Sequence, residues 1–180
     1  MKIPEFKIRT DLALEEREGL KEAAEEVSGV SFKKWEGKRS AAQITEVKVL
    51  NEHGAKALGK PMGSYLTLEA DKLLMPDEDF HSEVSDELAL LLKGLLKQKT
   101  GKNILVAGLG NQSVTPDSLG PRTVSNLCVS AEGLKAIAPG VMAQTGMETA
   151  RILLGIIKEV QPDLVIAIDT SGSCSGEIVR

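Results

Sequence analysis

The chain has 180 residues, 42% of them apolar and 27% charged, an ordinary globular mixture long enough to bury a sizeable core as one domain. A net charge of −4 and only 3% aromatics exclude the basic field and stacking platforms of a nucleic-acid binder. No apolar run reaches the ~18 residues of a membrane helix, the N-terminus MKIPEFKIRTDLALEE has no apolar signal region, and two cysteines, Cys128 and Cys174, make no disulfide framework, so a soluble, cytoplasmic chain with reduced thiols is expected.

In chain order, Leu12 to Val27 reads as a helix, with Leu12, Leu20, Ala23, Ala24 and Val27 near one face. Ala42–Leu50 and Ser64–Ala70 read as strands, rich in Ile, Val, Thr, Tyr and Leu. Between them Gly54, Gly59, Pro61 and Gly63 read as punctuation. A long helix is expected from a cap at Asp77 to Gln98, with Gly101 as its stop. Val84, Leu88, Leu91, Leu92 and Leu95 give it an apolar stripe. The character changes near residue 101. The first 100 residues are surface-rich α+β. The last 80 read as buried α/β, with Lys102, Arg122, Lys135, Arg151, Lys158 and Arg180 as their only basic residues.

Asn103–Leu109 (NILVAGL) is a continuous apolar run, as a strand buried on both faces needs. A helix is expected over Pro116–Ser130, then a short strand at Leu134–Ala138. Thr145 and Glu148 fit a capping box, Thr at N-cap and Glu at N3. The helix after it carries Ile152, Leu153, Ile156, Ile157 and Val160 on one side and ends before Pro162. Asp163–Asp169 (DLVIAID) reads as another buried strand, and Ser171–Gly176 as a flexible tail. Strands alternating with helices imply βαβ units and a mostly parallel sheet flanked by helices. The predicted fold class is therefore α/β, with an α+β N-terminal part.

Two aspartates stand where such sheets bind ligands, beyond the C-terminal ends of strands. Asp117 lies in the turn after NILVAGL, and Asp169 ends DLVIAID. If the two strands are neighbours, both carboxylates face one crevice. With Thr115 as cap and Pro116 at N1, Asp117 falls in the first turn of a helix, where free N–H groups favour an ionised carboxylate. Asp169, leaving a buried strand, is expected to be desolvated and to hold its proton. One ionised and one protonated carboxyl can activate water and protonate a carbonyl or leaving group. The plainer alternative is that Asp117 merely caps a helix and Asp169 binds neighbouring backbone.

Other chemistry is weakly signalled. Gly108-Leu-Gly110 begins a dinucleotide pattern, but Ser113 stands where the third glycine belongs. The plainer reading is glycines that let the backbone turn sharply beside the site. His53 and His81 both lie far upstream of the aspartates, so a metal centre in the second half would rest on carboxylates or on a histidine arriving from the first. Cys128 is expected to pack on its helix, and Cys174 has no evident base. GxSxG and HExxH are absent.

Several segments together resemble the spore germination protease family. They are Arg9-Thr-Asp-Leu-Ala13, Tyr65-Leu-Thr-Leu-Glu69, Gly108-Leu-Gly-Asn111, Val114-Thr-Pro-Asp-Ser-Leu-Gly-Pro121, Ala138-Pro-Gly-Val-Met142, Thr145-Gly-Met-Glu-Thr149 and Pro162-Asp-Leu-Val-Ile-Ala-Ile-Asp169. They occur in the family's order and cover nearly the whole chain. The resemblance implies an atypical aspartic endopeptidase that degrades small acid-soluble spore proteins during germination, with essential aspartates at Asp117 and Asp169. It implies a zymogen that cuts itself at Asp11–Leu12, making residues 1–11 a propeptide and 12–180 a single α/β protease domain. It further implies a homotetramer in the cytoplasm of the spore core, no required metal or other cofactor, no nucleic-acid or membrane partner, and a fold similar to hydrogenase-maturation peptidases.

The chain departs from the family in three places. It is shorter between Leu127 and Ala138, Thr170-Ser-Gly-Ser-Cys-Ser-Gly176 replaces a segment of small residues, and family members continue beyond the position of Arg180, so the domain is expected to be incomplete at its C-terminus. Two alternatives stay open. One is a metal-dependent maturation-type peptidase binding metal at Asp117. The other is a short, non-catalytic paralogue that binds spore proteins or protease subunits.

Overall fold

The computed structural model describes residues 28–96, 103–129 and 133–170, which fall into two compact units, one on each side of residue 99. The helix expected over Leu12–Val27, the cut at Asp11–Leu12 and the tail with Cys174 lie outside the described residues.

The first unit is an antiparallel meander of β1 (Val30–Glu36), β2 (Gln43–Val49) and β3 (Gly63–Glu69), with β2 in the centre. The register runs from Val30 opposite Val49 to Glu36 opposite Gln43. Its core is Ile44 and Val49 from the central strand, Ala42 just before it, and Val84 from a helix. β2 and β3 match the sequence reading to within a residue. β1 does not figure in it, because the exposed Lys33-Lys34 pair interrupts its apolar residues. Half-buried Trp35 nevertheless pairs directly with Ile44, the kind of cross-strand contact that stabilises an edge strand.

A helix, α1 (Glu52–Leu58), stands where punctuation alone was expected. Asn51 Oδ1 accepts the Gly54 N–H at 2.9 Å, and Gly59, at φ 62°, closes the other end. Gly54 is no breaker. A Cβ there would stand 2.6 Å from the Gly29 carbonyl oxygen, so the glycine lets the helix approach the chain entering β1.

The second helix, α2 (Glu78–Leu96), begins as expected, with Asp77 Oδ1 accepting the Phe80 N–H at 3.0 Å. The apolar stripe predicted for it is only partly used. Its buried residues are Val84 and Glu87, while Leu88, Leu92 and Leu95 are exposed. The Glu87 carboxylate instead accepts the Arg39 N–H at 2.9 Å and ties the β1–β2 turn to the helix.

The second unit is a parallel sheet of β4 (Ile104–Gly108), β5 (Leu134–Ile137) and β6 (Leu164–Ile168), in the order β5-β4-β6. The chain is thus mixed α/β, as expected. Central β4 buries Leu105, Val106 and Ala107, which fits its unbroken apolar run. β6 departs from its reading as a buried strand. It alternates half-buried and exposed residues, because it lies at an edge of the described sheet with one face open.

Among the described residues the unit also has three helices: α3 (Leu119–Ser125), α4 (Met142–Thr145) and α5 (Thr149–Val160). The helix expected over Pro116–Ser130 is instead a 3-10 turn at Thr115–Asp117 followed by the short α3. Thr115 does not cap it: Val114 holds that position, and no side chain caps the turn. Cys128 falls beyond the end of α3 and is exposed rather than packed on the helix. The capping box at Thr145 is also corrected. Thr145 ends α4, Gly146 at φ 68° closes it, and Glu148 occupies the N-cap of α5 without a side-chain bond. The Thr145 hydroxyl accepts the Met147 N–H at 3.1 Å, a local bond that competes with capping.

Candidate active site

The adjacency on which the aspartate pair depended is present. β4 and β6 are hydrogen-bonded neighbours, with Gly108 opposite Ile168. Asp169 directly follows β6, and the turn bearing Asp117 stands beyond the same end of β4. The ladder continues past the strands, with the Leu109 N–H donating to the Ile168 carbonyl at 2.8 Å.

Glycines make this end close-packed. A Cβ on Gly120, in the first turn of α3, would stand 2.4 Å from both the Ile168 and Leu109 carbonyl oxygens. One on Gly108 would meet the Gly120 carbonyl oxygen at 2.2 Å. Gly110, at φ 113°, would place a Cβ 2.1 Å from the Asp117 carbonyl oxygen. Only hydrogen fits at the three positions, so α3 and its preceding turn lie directly against the strand ends. Gly108-Leu-Gly110 is therefore a close-approach element, and the sharp backbone turn expected of its glycines is seen at Gly110 alone.

Asp117 is held from within its own loop, by the residue six positions before it. The Asn111 N–H donates to Asp117 Oδ2 at 2.8 Å and to the Asp117 carbonyl at 2.9 Å. Asn111 Oδ1 accepts from the Ser113 N–H at 3.0 Å and from Gln144 Nε2 at 2.8 Å. Asp117 is half-buried, whereas Asp169 is exposed. The desolvation expected of Asp169 is thus not met, because the strand it leaves has an open face. Its neighbour Thr170 buries Oγ1 without a partner among the described residues. A shallow groove of about 520 Å³ runs along α3 beside the Asp117 turn, lined by Thr115, Ser118, Leu119, Arg122 and Leu127 among others.

No group of three or more His, Cys, Asp or Glu side chains comes together among the described residues. His53 lies on α1 and His81 on α2, both in the antiparallel unit. None of the described helices is long and apolar enough to cross a membrane. Gln144 is the residue that sequence reasoning missed. Its one signal was its place between the Ala138–Met142 and Thr145–Thr149 segments.

The fold and site define a class first: an α/β protein with two carboxylates beyond the same end of adjacent parallel strands. The comparisons with known proteins then give the family. The germination protease family model matches residues 8–180. A germination protease of Caldanaerobacter subterraneus is 46% identical over 180 residues, covering 92% of this chain and 54% of that protein. One from Clostridium perfringens is 38% identical over 183 residues, covering 93% and 56%. One from Oceanobacillus iheyensis is 38% identical over 194 residues, covering 94% and 52%. The chain belongs to the germination protease family, and it spans about half the length of the curated relatives it matches.

Proposed function

We propose that this protein is a spore germination endopeptidase of aspartic type, acting on small acid-soluble spore proteins through Asp117 and Asp169. The observation that carries the reading is the pairing of β4 with β6, which sets both aspartates beyond one end of the sheet. Family membership supplies the peptidase class.

In the proposed reaction one carboxylate takes a proton from a water molecule, and the resulting hydroxide adds to the scissile carbonyl carbon. The other carboxyl gives its proton to the carbonyl oxygen. A proton then passes to the amide nitrogen, the C–N bond breaks, and the new carboxyl and amine leave. The Asn111 N–H fixes one Asp117 oxygen, and the groove along α3 offers room for an extended peptide beside it. The reading includes self-processing between Asp11 and Leu12, removal of residues 1–11, assembly as a homotetramer and action in the cytoplasm of the spore.

The test is cleavage of a purified small acid-soluble spore protein at mildly acidic pH. Asp117→Asn and Asp169→Asn are each expected to lower turnover by about three orders of magnitude or more, the scale on which loss of an essential acid–base group acts. Cleavage that survives both substitutions overturns the assignment.

A further inference from the structure

We infer that Gln144 is a positioning residue for Asp117, acting through Asn111. The inference rests on the reading of Asp117 as catalytic. Gln144 belongs to the short helix α4, and Asn111 to the loop after β4, 33 positions earlier in the chain. Asn111 shares its loop with Asp117, whereas Gln144 comes from a later helix, and a continuous chain of hydrogen bonds joins all three.

Each link is set at both ends. Gln144 Oε1 accepts the Val141 N–H at 3.4 Å, which turns its Nε2 outward, and Nε2 donates to Asn111 Oδ1 at 2.8 Å. The same Oδ1 accepts the Ser113 N–H, so the Asn111 side chain takes two donors and its orientation is fixed. That holds the Asn111 backbone where its N–H reaches both the carboxylate and the carbonyl of Asp117. Gly140 makes the approach feasible, because a Cβ at its φ of 77° would stand 3.2 Å from Gln144 Oε1. Thr149 Oγ1 donates to the Gly140 carbonyl at 3.1 Å and anchors this loop to the start of α5.

A bond from Gln144 to Asn111 contributes little to holding the fold. Gln144 is exposed, and a neutral side-chain bond at an exposed position is worth at most about 1 kcal/mol. Its consequence lies in geometry. A catalytic carboxylate displaced by a fraction of an ångström loses rate without losing substrate binding.

The test uses three variants. Gln144→Ala removes the side chain, Gln144→Met keeps the length without the donor, and Gln144→Lys restores a donor of similar reach. Ala and Met are expected to lower kcat about tenfold or more, with KM within about twofold and an unchanged thermal midpoint. Lys is expected to recover most of that loss. Hydrogen exchange at the Asn111 amide is the readout that does not depend on activity. It is expected to speed up about tenfold in the Ala and Met variants and to return towards the parent rate in Lys. Unchanged exchange, or faster exchange with unaltered kcat, overturns the inference, as does a rise in KM alone. Cleavage that survives Asp117→Asn sinks the parent reading, and the exchange measurement distinguishes that failure from this one.

Discussion

The two units use their polar side chains differently. In the antiparallel unit, Asn51 caps α1, Asp77 caps α2, and Glu87 binds the turn between two strands. Each of these groups satisfies backbone N–H left over by local structure. In the parallel unit, none of α3, α4 and α5 has an N-cap residue that bonds through its own side chain. There Asn111 bonds Asp117 within one loop, and Gln144 bonds that loop from α4, beyond the end of the sheet. A unit whose helices start without an N-cap side-chain bond and whose polar groups gather beyond one end of the sheet departs from the local rules that elsewhere favour folding. Such departures concentrate at functional sites.

The sharpest way to break the comparison is to add a carbon where Gly110 approaches the Asp117 backbone. Gly110→Ala is expected to cost about 3 kcal/mol or more, since a positive φ and a sub-contact approach to the Asp117 backbone act together. Gly59→Ala is the matched control in the other unit. Its φ is also positive, but nothing lies within 4 Å of the added Cβ, so about 1 kcal/mol is expected. Chemical denaturation of the two variants measures the difference. Equal losses would mean that backbone conformation alone, and not close packing, places the glycine at 110.

Much of this was legible in the sequence, and the rest fails for identifiable reasons. NILVAGL and DLVIAID could be read as strands because their apolar runs are unbroken, and the ends of those strands located both aspartates; that the two strands are neighbours came from the structure. β1 escaped because Lys33-Lys34 masks its alternation. α1 escaped because Gly54, which normally weakens a helix, is required there for close approach to Gly29. Thr115-Pro116-Asp117 does start a helical turn, with Pro116 and Asp117 in its first turn, but Thr115 does not cap it, and the Thr145–Glu148 signal was overridden. The Asp117 carboxylate faces Asn111, and the Thr145 hydroxyl serves its own turn. Partial burial of β6 depends on what covers the sheet edge, which no local pattern encodes. The contact between Gln144 and Asn111 joins residues far apart in the chain, and nothing in either segment announces it.

A middle-sized effect sharpens the contrast in caps. Asn51→Ala and Asp77→Ala are each expected to destabilise the protein by about 1 kcal/mol, the usual loss when a side-chain N-cap is removed. Glu148→Ala, at the corresponding position of α5, removes no cap bond and should cost less. Equilibrium unfolding compares the three variants directly. A Glu148 loss matching those of Asn51 and Asp77 would erase the distinction between the units.

The smallest expected effect concerns the pair that Glu148 does make. Its carboxylate lies 3.2 Å from Arg151 Nε, one helical turn on, with side-chain exposures of 60% and 84%. Water screens both groups, and holding two long side chains in one geometry costs entropy, so the pair is worth under about 0.5 kcal/mol. Arg151→Gln should therefore leave stability within that limit, and added salt should change the difference between parent and variant by no more. The same substitution tests what α5 depends on. The helix keeps Ile152, Ile156 and Val160 half-buried on one side. If burial of that face holds it, removing an exposed charge is nearly silent. If Arg151→Gln instead cost more than about 1 kcal/mol, above the range of an exposed pair, polar contacts would be supporting helices in this unit too, and the contrast with the antiparallel unit would fail.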